Sequence, residues 1–222
     1  MNFLSANDIL KEKKPGERVT FFVRHAERRH ITPEDEGYGE KVPLTETGRA
    51  QALAAGRELS AFTGTHFFGS SPVFRCRETA SLMASGSGVT EFSDAEKVVP
   101  LEPLGDFYVC GFADYERYLK EGFYPAVCRF LREGSLPGFL PLAEGSEKLL
   151  EFLLENSSAE VNVFCSHDAW IVPFLSHWTD IRFTPGLWLN FLSGAAILFD
   201  KNEKSRAKVL PLKFLGDGFL RF

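Results

Sequence analysis

The segment VTFFV, residues 19–23, is an unbroken run of β-branched and aromatic residues, and Arg24 and His25 follow it directly. A run of this kind is typical of a strand that is buried on both faces, as strands are in a parallel sheet. It ends abruptly in the basic stretch RHAERRH, residues 24–30. The sequence therefore predicts a buried strand that brings Arg24 and His25 to one edge of a sheet.

Strand-like and helix-like segments alternate along most of the chain. Thr45 is a predicted N-cap for a helix made of good helix formers, and Pro72 is predicted to open the first turn of another helix. The tail, residues 195–212, has a polar turn between two apolar runs and is predicted to be a β-hairpin. The predicted helices, including these two, cover residues 6–13, 46–62, 73–84, 146–156 and 169–178. The predicted strands besides VTFFV and the hairpin cover residues 65–69, 98–101 and 161–165.

Alternation with short links favours an α/β fold: a three-layer, mostly parallel, doubly wound sheet with helices on both faces. The prediction is a single domain over residues 1–222, with a small inserted cap at about residues 105–143, where the alternation stops and aromatic residues accumulate. We expect one or two helices in the cap. Its aromatic side chains are predicted to form a small local core, with one or two of them in contact with substrate.

The composition argues against several classes of protein. The 222 residues carry a net charge of −5, which does not favour binding to nucleic acid or to a membrane surface. No apolar run is long enough to span a bilayer, and the N-terminus lacks the pattern of a signal peptide. The four cysteines are scattered without a C-x-x-C pair, so we expect reduced thiols. A cytoplasmic enzyme is predicted, and the oligomeric state stays open.

Three strand ends carry side chains suited to phosphate. Ligands of doubly wound sheets bind at the carboxyl ends of the strands, and arginine forks and helix N-termini both favour a phosphate there. Phosphoryl transfer also needs an in-line nucleophile and a proton for the leaving oxygen, which an imidazole and a carboxylic acid supply. The residues in question are Arg24, His25 and Arg28 after the first strand, Ser70, Ser71 and Arg75 after the second, and His167 and Asp168 after VNVFC.

These motifs, together with LTETGRAQA at residues 44–52, resemble the histidine phosphatase superfamily, which includes phosphoglycerate mutases and histidine acid phosphatases. The resemblance runs from about Val19 to Leu175. It implies that His25 is the phosphorylated nucleophile, and that Arg24, Arg75 and His167 hold the phosphate. Ala26 departs from the family, which usually has glycine after the catalytic histidine.

The resemblance leaves two candidates for the proton donor. The R-H-x-x-R pattern is similar to the acid phosphatase branch, which implies that Arg28 also holds phosphate, although His30 stands where that branch has proline. The pair His167-Asp168 resembles the His-Asp motif of that branch, in which the aspartate donates the proton. The mutase branch uses a glutamate after a middle strand instead, and Glu102 is the candidate for that role. We prefer Asp168.

The predicted function is hydrolysis of a phosphomonoester, from a phosphorylated small molecule or a phosphopeptide, without metal or cofactor. A phosphoglycerate mutase-like phosphotransferase that uses Glu102 and a bisphosphorylated cofactor stays open, as does a phosphate-binding module without turnover. A metal-dependent hydrolase built on His25, His30, His167 and Asp168 is less favoured, because the chain has no H-x-x-x-H spacing and the arginines would repel a cation.

Overall fold

In the computed structural model, which describes residues 2–32, 34–120 and 122–222, the segment VTFFV forms the core of an interior strand, β1 (Arg18–Arg24), in a six-stranded sheet. The other strands of this sheet are β2 (His66–Ser70), β3 (Val99–Pro100), β4 (Val161–Ser166), β6 (Ser193–Phe199) and β7 (Lys208–Lys213). Their order is β3-β2-β4-β1-β6-β7. The first four in this order are mutually parallel, β6 pairs antiparallel with β1, and β7 pairs antiparallel with β6.

Helices cover both faces of the sheet. On β1, Phe21 packs into one core and Phe22 into the other, because successive side chains of a strand point to opposite faces. The first core receives residues from α1 (Ala6–Glu12), α2 (Glu46–Leu59) and α3 (Phe74–Ser87). The second receives residues from α5 (Phe123–Glu133), α6 (Leu142–Asn156) and α7 (Asp168–Trp178). The predicted mostly parallel α/β fold is confirmed.

The local signals at the helix starts have different outcomes. Thr45 is the N-cap of α2, where its hydroxyl accepts a hydrogen bond from the Gly48 amide at 2.9 Å, as predicted. Pro72 does not open the first turn of α3, because Val73 is the N-cap and the helix begins at Phe74. The proline lies instead in the bend between β2 and α3, where its fixed φ and missing N–H group are tolerated.

The segment predicted as a cap holds two helices, α4 (Phe112–Lys120) and α5, in agreement with the expectation. Its end belongs to α6, which begins at Leu142 rather than at residue 146. A small second sheet was not predicted: β5 (Leu187–Leu189) pairs antiparallel with β8 (Phe219–Arg221). In the described part of the chain, no helix is long and apolar enough to cross a lipid bilayer.

Two glycines let α2 and α3 pack closely. A Cβ atom added to Gly56 of α2 would collide with the carbonyl oxygen of Met83, and one added to Gly86 of α3 would collide with that of Leu53. The backbones of the two helices are therefore in direct contact. Since α3 carries Arg75 in its first turn, this contact also fixes the position of that side chain relative to the sheet.

We expect Gly56→Ala to lower the free energy of unfolding by about 2 kcal/mol, because overpacking against a rigid backbone costs about 1–3 kcal/mol beyond the helix propensity that alanine gains. Chemical denaturation measures the change. Gly186→Ala is the control, because open space surrounds Gly186, and it should change stability by less than about 0.5 kcal/mol. Equal stability of the two variants would show that the helices separate at no cost.

Candidate active site

The carboxyl ends of three neighbouring parallel strands meet at one edge of the sheet. Arg24 of β1 lies opposite Ser166 of β4, and Ser70 of β2 lies opposite Cys165 of β4. The residues that directly follow these strands therefore converge, as predicted. They open into a cavity of about 1070 Å³, whose lining includes His25, Arg28, Arg75, His167 and Asp168.

His25 is buried, with 1% of its surface exposed, and one of its two ring nitrogens is hydrogen-bonded to the backbone. The ring nitrogen Nδ1 lies 2.8 Å from the carbonyl oxygen of Ala26. A carbonyl only accepts hydrogen bonds, so Nδ1 carries the proton and Nε2 keeps its lone pair. Burial lowers the pKa of His25 well below its ordinary value, and the positive charges of Arg75 and Arg24 lower it further. The imidazole is therefore neutral at neutral pH and has an available nucleophilic nitrogen.

His167 lies next to His25, with 5.7 Å between the two ring centroids. Its Nε2 is 3.0 Å from the hydroxyl oxygen of Ser71, and its Nδ1 is 3.4 Å from Nη2 of Arg75. Because a guanidinium only donates, Nδ1 accepts this bond and Nε2 carries the proton. The thiol of Cys76 packs 3.7 Å from the same ring. Ser71 and Cys76 thus orient His167.

Arg24 and Asp168 form a buried ion pair, with 3.0 Å between Nη2 and Oδ2. The indole Nε1 of Trp188 also donates to Oδ2 of Asp168, at 2.8 Å. Burial raises the pKa of Asp168, but the charge of Arg24 and the bond from Trp188 outweigh it, so the pKa lies below the ordinary value. The guanidinium of Arg24 lies 4.2 Å above the ring of Phe191 and donates to the carbonyl of Leu189. Arg24 itself is absent from the cavity lining among the described residues.

The three arginines predicted to bind phosphate share one feature. Arg24, Arg28 and Arg75 each have a buried Nε–H group without a hydrogen-bond partner in the described part of the chain. Nη1 of Arg75 is used, since it donates to the Gly39 carbonyl at 2.7 Å. Burial lowers the pKa of Arg28 to about 10, while Asp168 opposes this effect. Unpaired buried donors are rare and costly, so this set is suited to receive an anion.

The two proton-donor candidates lie in different places. Asp168 lines the cavity, whereas Glu102 is an exposed residue at the start of a 3-10 helix after β3 and is not among the described residues that line it. No hydrogen bond joins Oδ1 of Asp168 to another residue in the described ranges, since both of its contacts use Oδ2. His30 is exposed and lines the cavity further out. The described residues contain no cluster of three or more histidine, cysteine or acidic side chains that could hold a metal ion.

Trp188 and Phe191, which fix Asp168 and Arg24, were missed in the sequence. Both lie in or next to β5, a strand of three residues whose partner β8 comes about thirty residues later. An apolar run this short is ambiguous, and a distant partner leaves no local pattern. The single signal in the sequence is the tryptophan itself, because a buried indole N–H needs an acceptor.

Comparison with known families gives one match, to the histidine phosphatase superfamily (branch 1), over residues 20–97. The resemblance seen in the sequence is confirmed for this segment, which contains His25, Arg28 and Arg75. The segment ends before Glu102 and Asp168, so it does not distinguish between the two acids. No curated protein sequence matches the chain.

Solved structures share the fold at low sequence identity. Phosphoglycerate mutase from Bacillus anthracis is 14% identical with a TM-score of 0.57, over 91% of this chain and 94% of that one. A mycobacterial glucosyl-3-phosphoglycerate phosphatase is 15% identical with a TM-score of 0.52, over 89% and 98%. A phosphoserine phosphatase mutant from Entamoeba histolytica is 16% identical with a TM-score of 0.51, over 88% and 95%.

We expect inorganic phosphate to bind in this cavity and Arg75→Leu to weaken the binding at least about tenfold, because a hydrogen bond to a charged group contributes about 1.5–3 kcal/mol. Isothermal titration calorimetry with EDTA present measures it. Arg77→Leu is the matched control: Arg77 lies on the same helix but donates to Ala95 and Glu96. Equal loss in both variants, or binding abolished by EDTA, would contradict an arginine-based site.

Proposed function

From the match to the histidine phosphatase superfamily and the fold shared with phosphoglycerate mutase, we propose that the protein is a metal-independent phosphomonoesterase that works through a phosphohistidine on His25. The observation that carries this proposal is the grouping of Arg28, Arg75 and a neutral, buried imidazole in one cavity, with Arg24 buried behind them. The arginines supply the positive charge that the phosphoryl oxygens need, so the reaction requires no metal ion.

The proposed reaction has two steps. Nε2 of His25 attacks phosphorus, the ester P–O bond breaks, and the alcohol oxygen leaves with a proton from an acid. Water then attacks the phosphohistidine, the N–P bond breaks, and the same carboxylate accepts the proton of the water. The products are the alcohol and inorganic phosphate. Arg28 and Arg75 hold the phosphoryl oxygens, and His167 joins them when a phosphoryl oxygen replaces Ser71 as the acceptor of its Nε2 proton. Arg24, which lies behind the described lining, adds positive charge and positions the acid.

We assign the acid role to Asp168. It lines the cavity beside His25, whereas Glu102 is exposed and does not line it in the described part of the chain. A donor has to be protonated, and in the free protein Arg24 holds the pKa of Asp168 below its ordinary value. A bound phosphate dianion brings negative charge close to the carboxylate and competes for the arginines, and both effects raise a carboxyl pKa. Substrate binding therefore favours the protonated form.

The two other functions left open by the sequence receive less support. A mutase of the predicted type requires Glu102 in the cavity, and Glu102 is exposed elsewhere. A binding module without turnover needs no acid and no neutral nucleophile, and both are available in the lining at His25 and Asp168. Hydrolysis of a phosphomonoester is therefore the function that we propose, with a phosphorylated small molecule or phosphopeptide as substrate.

With ³²P-labelled substrate and rapid alkaline quenching, we expect an acid-labile label on His25, formed without any added bisphosphorylated cofactor. His25→Ala should abolish it, because the substituted side chain has no nucleophile. Cys76→Ala is the control, since Cys76 is the nucleophilic side chain that packs against His167, and it should retain the label. Label on a cysteine or an aspartate, or turnover without any covalent intermediate, would refute the assignment of the nucleophile.

Asp168→Asn should depress hydrolysis of alkyl phosphates by ~10²–10⁴-fold and spare much of the activity on p-nitrophenyl phosphate, because only a poor leaving group depends on general acid catalysis. Glu102→Gln should have little effect on either substrate. The measurement is kcat/KM for both substrates in both variants. If the loss that depends on the leaving group appears in Glu102→Gln instead, the acid is Glu102 and the mutase-like mechanism is correct.

A further inference from the structure

The cavity extends well beyond the residues that would hold a phosphate. Part of its lining is an aromatic wall of four residues from α4, α5 and α7, namely Tyr115, Phe123, Tyr124 and Trp170. A phosphate with its arginines fills a small part of about 1070 Å³, and small-molecule sites are typically about 300–1,000 Å³ and mostly apolar. The remaining volume is therefore available to the alcohol part of the substrate.

The rings of the aromatic wall are held by other rings rather than left loose. Phe123 and Tyr124 pack edge to face at 5.3 Å, and Tyr124 packs against Trp188 at 4.9 Å. Tyr115 contacts Trp170 at 6.1 Å, and the indole of Trp170 donates to the carbonyl of Gly105 at 2.7 Å. Rings fixed in this way offer preformed apolar faces, so a flat apolar group binds them without ordering the wall first.

The rest of the described cavity lining does not attract a second negative charge. It includes two carboxylates, Asp35 and Glu40, and beyond the phosphate-binding groups the described lining has Lys120 and the imidazole of His30 as its basic side chains. Arg29 pairs with Asp35 at 2.7 Å and balances that carboxylate. Glu40 and Lys120 carry opposite charges, so beyond the phosphate-binding groups the described lining has no net positive charge for a carboxylate or a second phosphate on the substrate.

We propose that the substrates are small phosphomonoesters whose alcohol part is uncharged and aromatic or otherwise apolar, and that Phe123 of the aromatic wall determines this specificity. The proposal rests on the phosphatase function proposed above. In the complex, the phosphate occupies the arginine-lined end beside His25, and the apolar group lies against Phe123 and Tyr124. Esters with a carboxylate in the alcohol part, such as phosphoglycerates, are poor substrates because the described lining beyond the phosphate-binding groups has no net positive charge to attract that carboxylate.

The test compares three esters with alkoxide leaving groups: 2-phenylethyl phosphate, ethyl phosphate and 3-phosphoglycerate. We expect kcat/KM for 2-phenylethyl phosphate to exceed that for ethyl phosphate at least about tenfold, the gain that one added apolar contact already gives in a fitted pocket. 3-Phosphoglycerate should be no better than ethyl phosphate. Equal kcat/KM values for 2-phenylethyl phosphate and ethyl phosphate, or a higher kcat/KM for 3-phosphoglycerate, would overturn the proposal while leaving the phosphatase function intact.

Variants of the wall assign the effect to Phe123. Phe123→Ala should reduce the ratio between 2-phenylethyl and ethyl phosphate to near one, and Phe123→Leu should keep part of it if the alanine variant folds poorly. The matched control is Phe112→Ala, because Phe112 is 61% exposed and does not line the cavity in the described structure. This control should keep the full ratio. An unchanged ratio in both Phe123 variants would remove Phe123 from the specificity site.

A binding experiment keeps the proposal testable if no ester is hydrolysed. Calorimetry with 2-phenylethylphosphonate and ethylphosphonate, which cannot be cleaved at a P–O ester bond, should give at least about tenfold tighter binding for the aromatic compound. Tight aromatic binding without any turnover would refute the phosphatase function and support the apolar pocket. Equal binding of the two phosphonates would refute the pocket, whatever the turnover.

Discussion

The structure depends on keeping positive charge buried at the carboxyl edge of the sheet. Arg24 and Arg75 are 1% and 6% exposed, and Arg28 is half-buried beside them. Asp168 is the carboxylate paired with this group. Burying a charge without full compensation is unfavourable, so the rest of the fold has to contribute the free energy that offsets it. Burial lowers the pKa of His25 and the same positive charge lowers it further, so one arrangement both favours an anion and keeps the proposed nucleophile neutral.

The parallel strands explain why most of this edge could be predicted. A parallel sheet brings its carboxyl ends to one side, so a buried run such as VTFFV already fixes where Arg24 and His25 lie once the strand is recognised. The same reasoning placed Arg75 and His167, and the cavity lining confirms that His25, Arg75 and His167 come together. The positions of these residues do not depend on a particular long-range contact. An apolar strand in the sequence, and the convergence of the carboxyl ends of parallel strands at one edge, are enough to predict them.

Other parts of the site depend on contacts that no local pattern encodes. Trp188 binds Asp168 from β5, which is stabilised by pairing with the distant β8. Ser71 was visible at a strand end, but its bond to His167 depends on the side-chain geometry of the folded site. The aromatic side chains of the segment 105–143 were predicted to form a local core with one or two of them in contact with substrate, and Tyr115, Phe123 and Tyr124 line the cavity. Composition identified these side chains, but it did not reveal which face each one presents.

Asp168 connects the two ends of the cavity. Its Oδ2 is held by Arg24 and Trp188, and the ring of Trp188 packs against Tyr124 of the aromatic wall. In the reaction that we propose, the carboxylate that releases a proton to the alcohol is therefore positioned by the same tryptophan that supports the surface for the alcohol part. The charge of Arg24 opposes protonation of Asp168, and the negative charge of a bound phosphate dianion would counter this effect, so in this proposal Asp168 becomes an acid when the phosphate is bound. A substrate whose phosphate binds the arginines and whose alcohol part contacts the aromatic wall meets both conditions. In the proposed reaction, recognition of the alcohol part is therefore coupled to its release.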